Sequence, residues 1–424
     1  MTDYSLVFTG LFSTVLVLGL LIKFYLTSRQ IRYVARHKEN VPVVFAATIS
    51  LQAHQKAADY TIAKARFGML QTAFGAVLLL GWTLLGGLDA LNQAVTHSNL
   101  VAYGSLVPQL ALLVAFAVIS GLLDLPFTLY ATFRLEQRFG FNKMTFRLWL
   151  VDLAKSLLVG AVVGLPIIAL ILWLMGSAGR LWWLWAWGVW MCFNLLVLVL
   201  FPTVIAPLFN KFKPLDDQNL KARVTALMQR CGFAAKGLFV MDGSKRSAHA
   251  NAYFTGFGAA KRVVFYDTLL KQLSPGEVDA VLAHELGHFK HKHIIKRIIA
   301  MFAMSLVGFA LLGWLSSQTW FYTGLGIRPN VAVSNDAIAL LLFMLVVPLF
   351  SFFVSPVFAQ LSRKHEFEAD AYAVLQTDGR DLQSALLKLY QDNASTLTPD
   401  PVYVKFYYSH PPASERLGRM APSI

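Results

Sequence analysis

Seven runs of about 20 mostly apolar residues constrain the fold of this chain more than any other feature. A helix of about 20 apolar residues is long enough to cross the hydrocarbon core of a bilayer. Only 14% of the 424 residues are charged, against ~25% in a typical soluble domain, and the mean hydropathy is +0.55. We therefore predict seven transmembrane helices, near residues 4–26, 68–92, 106–127, 151–175, 181–207, 298–317 and 337–361.

The distribution of Lys and Arg predicts how these helices are oriented, because basic residues accumulate in the cytosolic segments of membrane proteins. Most of the 37 Lys and Arg residues lie in alternate polar segments, with seven, four, fifteen and seven in 27–66, 128–147, 208–297 and 362–424. We therefore expect the N-terminus outside and the C-terminus in the cytosol. The first apolar run lacks a preceding basic residue and a small-residue cleavage site, so we expect a retained helix.

The net charge of +14 follows from this topology. It favours attraction to anionic lipid head groups rather than the binding of nucleic acid. We expect a monomer integrated in a lipid bilayer and favour a bacterial inner membrane. In a eukaryote, the same chain would lie in the endoplasmic reticulum.

The two long polar segments predict one small α+β domain at the cytosolic face. The first contains an amphipathic helix near 216–231, a strand near 237–243 and a hairpin formed by 250–257 and 262–267. The second contains a helix that leaves the last span and another near 381–395. The predicted fold class is an all-α polytopic membrane protein carrying this domain, divided into 1–207 (with cytosolic loops 27–66 and 128–147), 208–297, 298–361 and 362–424.

The stretch Ser274-Pro275-Gly276-Glu277 predicts the start of a helix. Ser can cap the first free amides, Pro suits the first helical position, and Glu three residues later completes a capping box. Nothing in 288–312 interrupts the helical pattern, so we expect this helix to run on into the sixth span.

His284, Glu285 and His288 lie on this helix in the spacing HExxH. His284 and His288 are separated by about 40° around the axis and one turn along it, so both imidazoles can reach one ion. Glu285, offset by about 100°, can reach a water held by that ion. The pattern therefore predicts a catalytic zinc site. Gly287 costs roughly 1 kcal/mol relative to Ala in a helix, which indicates the close approach of another backbone.

A catalytic zinc site needs a third protein ligand. The metzincin pattern is excluded, because it requires Gly at the position of His291 and His at the position of Ile294. The alternative is a Glu on a second helix, with an Asp one turn later that supports a ligand His, and Glu366 and Asp370 fit it. Glu368 lies on the opposite side of that helix and is the poorer candidate.

Other polar residues near the membrane have a simpler interpretation. We interpret three further histidines, His291, His293 and His365, as solvated residues at the membrane interface rather than ligands. Polar residues within spans are costly in lipid, so they either line a cavity or extend to the interface from a helix end. Four such residues are Asp124, Asp152, Lys155 and Asn194.

Several motifs resemble those of the type I CAAX prenyl endopeptidases, which are integral-membrane zinc proteases. The stretch SRKHEFEADA (362–371) is similar to the third-ligand signature of that family. The similar pieces span most of the chain from about 124 to 417, in order. They are RFGFNK (138–143), IAPLFNKFKPL (205–215), SAHANAYFTGF (247–257), VVFYDTLL (263–270) and YSHPPASERL (408–417).

The resemblance implies seven helices around a large chamber and a gluzincin-like protease domain at the cytosolic face. It implies that His284, His288 and Glu366 bind one Zn²⁺ and that Glu285 is the general base. It also implies that Asp370 supports a ligand. The spacing of the residues points to the same set.

The resemblance also implies residues that bind the substrate. NAYF (251–254) is similar to the edge strand with which thermolysin-like enzymes hold an extended peptide. An exposed edge offers unpaired amides and carbonyls, so Asn251 and Ala252 are candidates for backbone contact, with His249 nearby. His410 and Arg416 match an element that flanks the scissile bond. A protonated His or Arg there would stabilise the oxyanion or bind a substrate carboxylate.

The predicted reaction is hydrolysis of peptide bonds. The predicted substrates are CAAX-type peptides, prenylated or not, which would lose their last three residues, or other membrane-associated polypeptides. The alternative is a quality-control protease without a prenyl requirement. A metal-binding transporter is disfavoured because its ligands would lie near the bilayer midplane. A catalytically inactive binding protein would lack Glu285 or a metal ligand.

Overall fold

The computed structural model of the protein describes residues 4–233, 237–255, 262–330 and 333–420. Helices dominate it. They are α1 (Tyr4–Arg36), α2 (Leu51–Trp82), α3 (Gly87–Thr96), α4 (Leu106–Tyr130), α5 (Gln137–Phe139), α6 (Phe146–Val159), α7 (Leu165–Ser177), α8 (Trp182–Leu200), α9 (Ala206–Phe209), α10 (Gln218–Arg230), α11 (Asp267–Gln272), α12 (Pro275–Lys290), α13 (His293–Leu315), α14 (Thr319–Thr323), α15 (Asp336–Ser351), α16 (Ser355–Gln376), α17 (Gly379–Asp392), α18 (Pro401–Tyr407) and α19 (Ala413–Met420).

Within the described residues, five helical segments are long and apolar enough to cross a membrane. They are Tyr4–Arg36, Leu106–Phe139, Phe146–Ser177, Gly179–Phe209 and His293–Leu315. Two helix pairs, α2 with α3 and α15 with α16, pass the same test together but are bent by 47° and 65° at their breaks. If each bent pair is one span, the described part of the chain holds up to seven, the number predicted. The protein is an integral, multi-pass membrane protein.

The predicted spans 68–92 and 337–361 each contain one of these breaks, which the apolar pattern did not predict. Between α2 and α3, Gly86 has a φ of 79°, a left-handed conformation that favours Gly and interrupts a helix. The break between α15 and α16 follows Pro348, which lacks a backbone donor, and precedes Pro356 in the first turn of α16.

A four-stranded sheet forms the base of the smaller domain. Its strands are β1 (Phe212–Pro214), β2 (Gly237–Met241), β3 (Ala252–Thr255) and β4 (Arg262–Tyr266). Their order is β1-β2-β4-β3, with β2 and β4 parallel and the other pairs antiparallel. The predicted hairpin is therefore confirmed as the β3–β4 pair, although its predicted turn, Gly258–Lys261, lies outside the described residues. β3 lies at the edge of the sheet.

The two largest of four hydrophobic cores among the described residues stabilise the membrane helices and the smaller domain. One lies among the membrane helices and includes Leu112, Leu172 and Ile338. The other lies between the sheet and the helices that pack on it, and includes Phe265 and Leu282. The membrane helices also expose large apolar side chains on their outer faces, as lipid contact requires.

The polar residues of the predicted spans have protein partners. Asp152 accepts hydrogen bonds from Nε and Nη2 of Arg246 at 2.8 and 3.0 Å, so an ion pair joins α6 to the smaller domain. Lys155 Nζ donates to a backbone carbonyl of α9 at 2.7 Å. Asp124 and Asn194 bond within their own helices. Asp152 and Lys155 thus fix the membrane helices against the chain that enters the smaller domain.

The helix that carries HExxH starts where predicted but ends sooner. Ser274 Oγ accepts from the backbone of Glu277 at 3.4 Å and Glu277 Oε2 accepts from the backbone of Ser274 at 2.7 Å, which confirms the capping box. The helix ends at Lys290, because Lys292 adopts a left-handed conformation with a φ of 56°. The expectation of one helix running into the sixth span is therefore wrong. The break changes the direction of the chain before His293, where α13 begins.

Candidate metal centre

The centre lies between α12 and α16, which approach closely at Gly287. A Cβ atom at this position would lie 2.9 Å from Cα of Ala369 and 3.1 Å from its carbonyl oxygen. Because both contacts are with backbone, a larger residue would force the two helices apart. This confirms the close approach expected from Gly287 and explains how residues on two helices reach one point.

Three predicted ligands converge there. Nε2 of His284 lies 3.3 Å from Nε2 of His288 and 3.4 Å from Oε2 of Glu366. Nε2 of His288 lies 3.5 Å from Oε1 of Glu366. Ligands about 2.0–2.1 Å from a tetrahedral Zn²⁺ are separated from one another by about 3.3–3.4 Å. The three side chains therefore have the spacing of three corners of a zinc coordination tetrahedron.

The hydrogen bonding of these groups also fits a bound cation. Oε2 of Glu366 is buried and receives no hydrogen bond from any described residue. Burial and the neighbouring charge of His284 lower the pKa of His288 to about 4, so this imidazole is neutral, as a ligand must be. Burial lowers the pKa of His284, but its interactions with the carboxylates of Asp370 and Glu366 outweigh this effect and raise that pKa to about 9. The site therefore favours a positive charge between its carboxylates, which a divalent metal ion provides.

Asp370 holds His284 from behind. Its Oδ1 lies 2.8 Å from Nδ1 of His284, so a proton on Nδ1 leaves the Nε2 lone pair for an ion. Arg416 donates to both carboxylate oxygens of Asp370, at 2.8 Å through Nε and at 2.5 Å through Nη2. All three side chains are buried.

The structure places Arg416 against Asp370. We predicted it beside the scissile bond, and in the structure it is only 6% exposed and donates through Nε and Nη2 to Asp370. This two-pronged contact fixes the carboxylate that orients His284. The contact supports a positioning role for Arg416 rather than direct contact with substrate.

His293 and Glu368 support the second histidine ligand in the same way. Nδ1 of His288 lies 3.0 Å from Nδ1 of His293, and Nε2 of His293 lies 2.8 Å from Oε2 of Glu368. If Nε2 of His288 binds metal, its Nδ1 carries a proton and donates it to His293, which in turn donates to Glu368. The sequence analysis missed this pair, because we assigned His293 to solvent although it is only 4% exposed. His293 reaches His288 because the helix breaks at Lys292, and no pattern in the sequence indicates that break.

The remaining histidines lie around this pair. The rings of His365 and His291 both stack on that of His293, at 3.9 and 5.5 Å between centroids. His291, His293 and Glu368 also form a group whose ligand atoms lie within 4.8 Å of one another. Both nitrogens of His293 are already used, by His288 and Glu368, so we interpret His293 and Glu368 as support for His288 and His291 as an exposed neighbour, rather than the three as a second metal site.

Replacing Glu368 with alanine is expected to weaken metal binding about 10–100-fold without removing a ligand, as the loss of outer hydrogen-bond partners generally does. Zinc retained against a series of chelators would measure this in detergent-solubilised protein. His291→Ala is the matched control, because His291 is exposed and makes no hydrogen bond to His288. Equal zinc retention in wild type and Glu368→Ala would contradict the role of the pair.

Glu285 follows His284 directly on α12. Burial raises the pKa of its carboxyl group, and the negative charge of Glu366 raises it further, against the effect of His284. A carboxylate with a raised pKa accepts a proton more readily, which suits a general base.

His410 reaches the centre from the loop before α19. Its Nε2 lies 3.4 Å from Oε1 of Glu366, its Nδ1 lies 2.9 Å from Oγ of Ser409, and its side chain is 63% exposed. The structure thus brings His410, unlike Arg416, to the open side of the centre.

The edge strand β3 directs the backbone groups of Ala252 toward the open edge of the sheet. Tyr266 donates its backbone N–H to the carbonyl of Asn251, so that carbonyl faces β4. Backbone groups alternate in direction along an antiparallel strand, so those of Ala252 face the open edge. Oδ1 of Asn251 accepts from the N–H of Ala252 at 2.8 Å. Of the two predicted contacts, Ala252 directs its backbone toward the open edge, with its N–H held by the Asn251 side chain, whereas the backbone carbonyl of Asn251 is used by β4.

His249 precedes this strand and is held in place by three contacts. Its Nδ1 lies 3.1 Å from Oδ1 of Asn393, its Nε2 lies 3.8 Å from Oε2 of Glu136, and its ring stacks on Phe141 at 4.4 Å. It lines the cavity next to the centre together with Asn251 and His410.

Comparison with known proteins identifies relatives that cover nearly the whole chain. Residues 30–211 match the family described as CAAX prenyl protease N-terminal, five membrane helices, and residues 214–421 match peptidase family M48. The CAAX prenyl protease 1 homolog of Arabidopsis thaliana is 34% identical over 410 residues, covering 93% of this chain and 92% of the relative. CAAX prenyl protease 1 of Saccharomyces cerevisiae is 34% identical over 422 residues, covering 93% and 90%.

A solved structure has the same fold. The crystal structure of S. mikatae Ste24p superposes with a TM-score of 0.89 at 32% sequence identity, covering 97% of this chain and 98% of that one. A likeness of this extent includes both the membrane helices and the domain that carries HExxH. The chain therefore belongs to peptidase family M48, as an integral-membrane metalloendopeptidase of the CAAX prenyl protease type.

Proposed function

We propose that this protein uses one Zn²⁺ per chain, bound by His284, His288 and Glu366, to cleave peptide bonds near the C-terminus of CAAX-type substrates. The substrates are prenylated and membrane-associated, and cleavage removes the last three residues. The relatives named as CAAX prenyl proteases support this assignment. The enzyme acts as a monomer.

The observation that carries the proposal is the cavity next to the metal centre. It has a volume of about 1040 Å³ and is lined by residues of the membrane helices α1 and α2 as well as by His249, Asn251 and His410. A substrate in this cavity contacts the membrane helices and the candidate catalytic residues together. A peptide tethered to the bilayer by a lipid is therefore the substrate class that fits the position of the site.

Zn²⁺ held by His284, His288 and Glu366 would be a Lewis acid that polarises the scissile carbonyl and makes a water molecule more acidic. Glu285 takes the proton of the attacking water and delivers it to the nitrogen of the leaving peptide. His410, on the open side of the centre, donates a hydrogen bond to the carbonyl oxygen as negative charge develops there. Asp370 and His293 keep the two histidine ligands oriented throughout.

The edge of β3 holds the peptide in extended form. The backbone N–H and carbonyl of Ala252 pair with the substrate as the next strand would, once the N–H leaves Oδ1 of Asn251. His249 and Asn251 then contact the residues after the scissile bond. Of the substrate residues predicted from the sequence, His249 and Asn251 line the cavity.

We place the N-terminus outside and the centre in the cytosol, because the segments that carry it hold most of the Lys and Arg residues. Cysteine accessibility in intact cells tests this. Ser98→Cys, before α4, should react with an impermeant reagent, and Ser409→Cys, beside His410, should react only after lysis. The reverse labelling would contradict the orientation.

The function is tested with pure protein in detergent or nanodiscs, with zinc per chain measured in the same sample. Farnesylated CAAX peptide is expected to be cleaved three residues from its C-terminus, and the unprenylated peptide more slowly. Equal cleavage of both, together with cleavage of unfolded membrane segments that lack the motif, would instead favour the quality-control function. Absence of bound metal would contradict the metal site.

A further inference from the structure

The charged residues that line the cavity next to the metal centre are basic. Lys23 of α1 and Lys64 of α2 line it, together with His249 and His410. No Asp or Glu of the described residues lines it. A cavity lined by cations without acids concentrates negative ligands.

Both lysines lack an anionic partner. Lys64 Nζ lies 3.3 Å from the hydroxyl of Tyr60 and 4.9 Å from the centre of its ring. Lys23 Nζ lies 4.7 Å from the centre of the Phe352 ring. Neither lysine forms an ion pair with a described residue, whereas Lys38 and Lys388 do.

Glu136, a carboxylate outside the cavity, already has interaction partners. Glu136 accepts a hydrogen bond from the hydroxyl of Tyr60 at 2.7 Å and lies 3.8 Å from Nε2 of His249. It therefore fixes these two cavity residues from outside and leaves Lys64 free to bind a ligand. Lys23 is a charged residue within a candidate membrane span. Because a charge in a span is energetically costly, it usually indicates a functional site.

The size of the cavity matches the part of the substrate that would enter it. Three extended residues span about 10 Å. A sphere of the observed volume, about 1040 Å³, would be about 12–13 Å across. This volume is at the upper end of the usual range for ligand pockets. The three residues after the scissile bond and their terminal carboxylate therefore fit between the centre and the far wall.

Resting on the proposed function, we propose that Lys23 and Lys64 form a binding site for the free α-carboxylate of the substrate. The two lysines and the metal ion then contact opposite ends of the same three-residue segment. The enzyme thereby measures the position of the scissile bond from the C-terminus, and peptides without a free carboxylate are poor substrates. Arg416, the other cation predicted to take this role, is buried, does not line the cavity and donates through Nε and Nη2 to Asp370.

The test compares one farnesylated CAAX peptide made as the free acid and as the C-terminal amide, which has the same size but no charge. We expect wild type to cleave the acid roughly 10–100-fold faster in kcat/KM, the range for loss of a hydrogen bond to a charged group. In Lys23→Gln/Lys64→Gln, cleavage of the acid should fall to the level of the amide, while cleavage of the amide stays unchanged. Lys64→Arg should restore part of the preference.

Lys56→Gln is the matched control. Lys56 lies two turns before Lys64 on α2, is exposed and does not line the cavity, so this variant should keep the wild-type preference. Equal cleavage of acid and amide by wild type, or an unchanged preference in the double variant, would overturn the proposal while leaving the proposed function intact. Cleavage of neither peptide by wild type would overturn the proposed function and this site with it.

Discussion

Glu285→Gln is expected to keep its metal and lose its activity. Glutamine has nearly the shape of glutamate but cannot take a proton from water, and a positioned general base contributes about 10²–10⁴-fold to a rate. The substituted side chain is not one of the three groups that converge on the ion position, so zinc per chain should match wild type. The measurement pairs kcat for a farnesylated CAAX peptide with zinc content of the same sample.

Asp279→Asn is the matched control for this variant. Asp279 lies on the same helix, near its N-terminus, where it pairs with Arg223 at 2.6 Å, and it is not one of the three ligands. It should keep both metal and activity. Substantial cleavage by Glu285→Gln would contradict the general-base role, and loss of zinc would show that Glu285 helps to hold the ion.

The elements that could be predicted from the sequence are those encoded by local patterns. The i, i+4 spacing of His284 and His288 on one helix turn, and of Glu366 and Asp370 on another, was enough to identify the converging groups. Gly287 indicated the contact with Ala369 because a glycine inside a helix is costly unless something lies close to it.

The contacts that the sequence did not predict depend on tertiary structure. Lys292 adopts a left-handed conformation that favours Gly or Asn, and nothing in its neighbours signals it. Because of that break, His293 turns back to His288 instead of facing solvent, and Glu368 on the far side of α16 becomes its partner. Arg416 has the right residue type for an active site, and only the position of α19 shows that it faces Asp370.

The bends of the second and seventh spans had signals that hydropathy alone overlooks. Gly86 and Gly87 adjoin in the second span, and Pro348 and Pro356 flank the break in the seventh. Residues 4–26 contain only the isolated Gly10 and Gly19, and α1 runs unbroken from Tyr4 to Arg36. Adjacent Gly residues, or Pro residues on both sides of a short stretch, therefore indicate a bend in a membrane span better than a single Gly does.

Glu366→Ala is expected to abolish both metal binding and cleavage, the largest loss for any single change on α16. The variant leaves two imidazoles, and a catalytic site needs three protein ligands. Removal of its carboxylate also leaves His284 and His410 without the acid that each faces at 3.4 Å. The loss of zinc affinity should exceed the ~10–100-fold expected for an outer partner, as measured by zinc per chain after dialysis against a weak chelator.

The comparison with Glu368→Ala decides between a ligand and a supporting residue. The two glutamates lie two residues apart on α16, carry the same charge and differ in what they face: Glu366 faces the two Nε2 atoms, and Glu368 faces the far side of His293. If the net charge of this helix were all that mattered, both variants would lose the same amount of metal. We expect the zinc content of Glu366→Ala to stay near zero, whereas excess zinc should restore the zinc content of Glu368→Ala. This outcome would assign direct coordination to Glu366 alone. Equal zinc loss in both variants would mean that no single carboxylate of α16 is the third ligand.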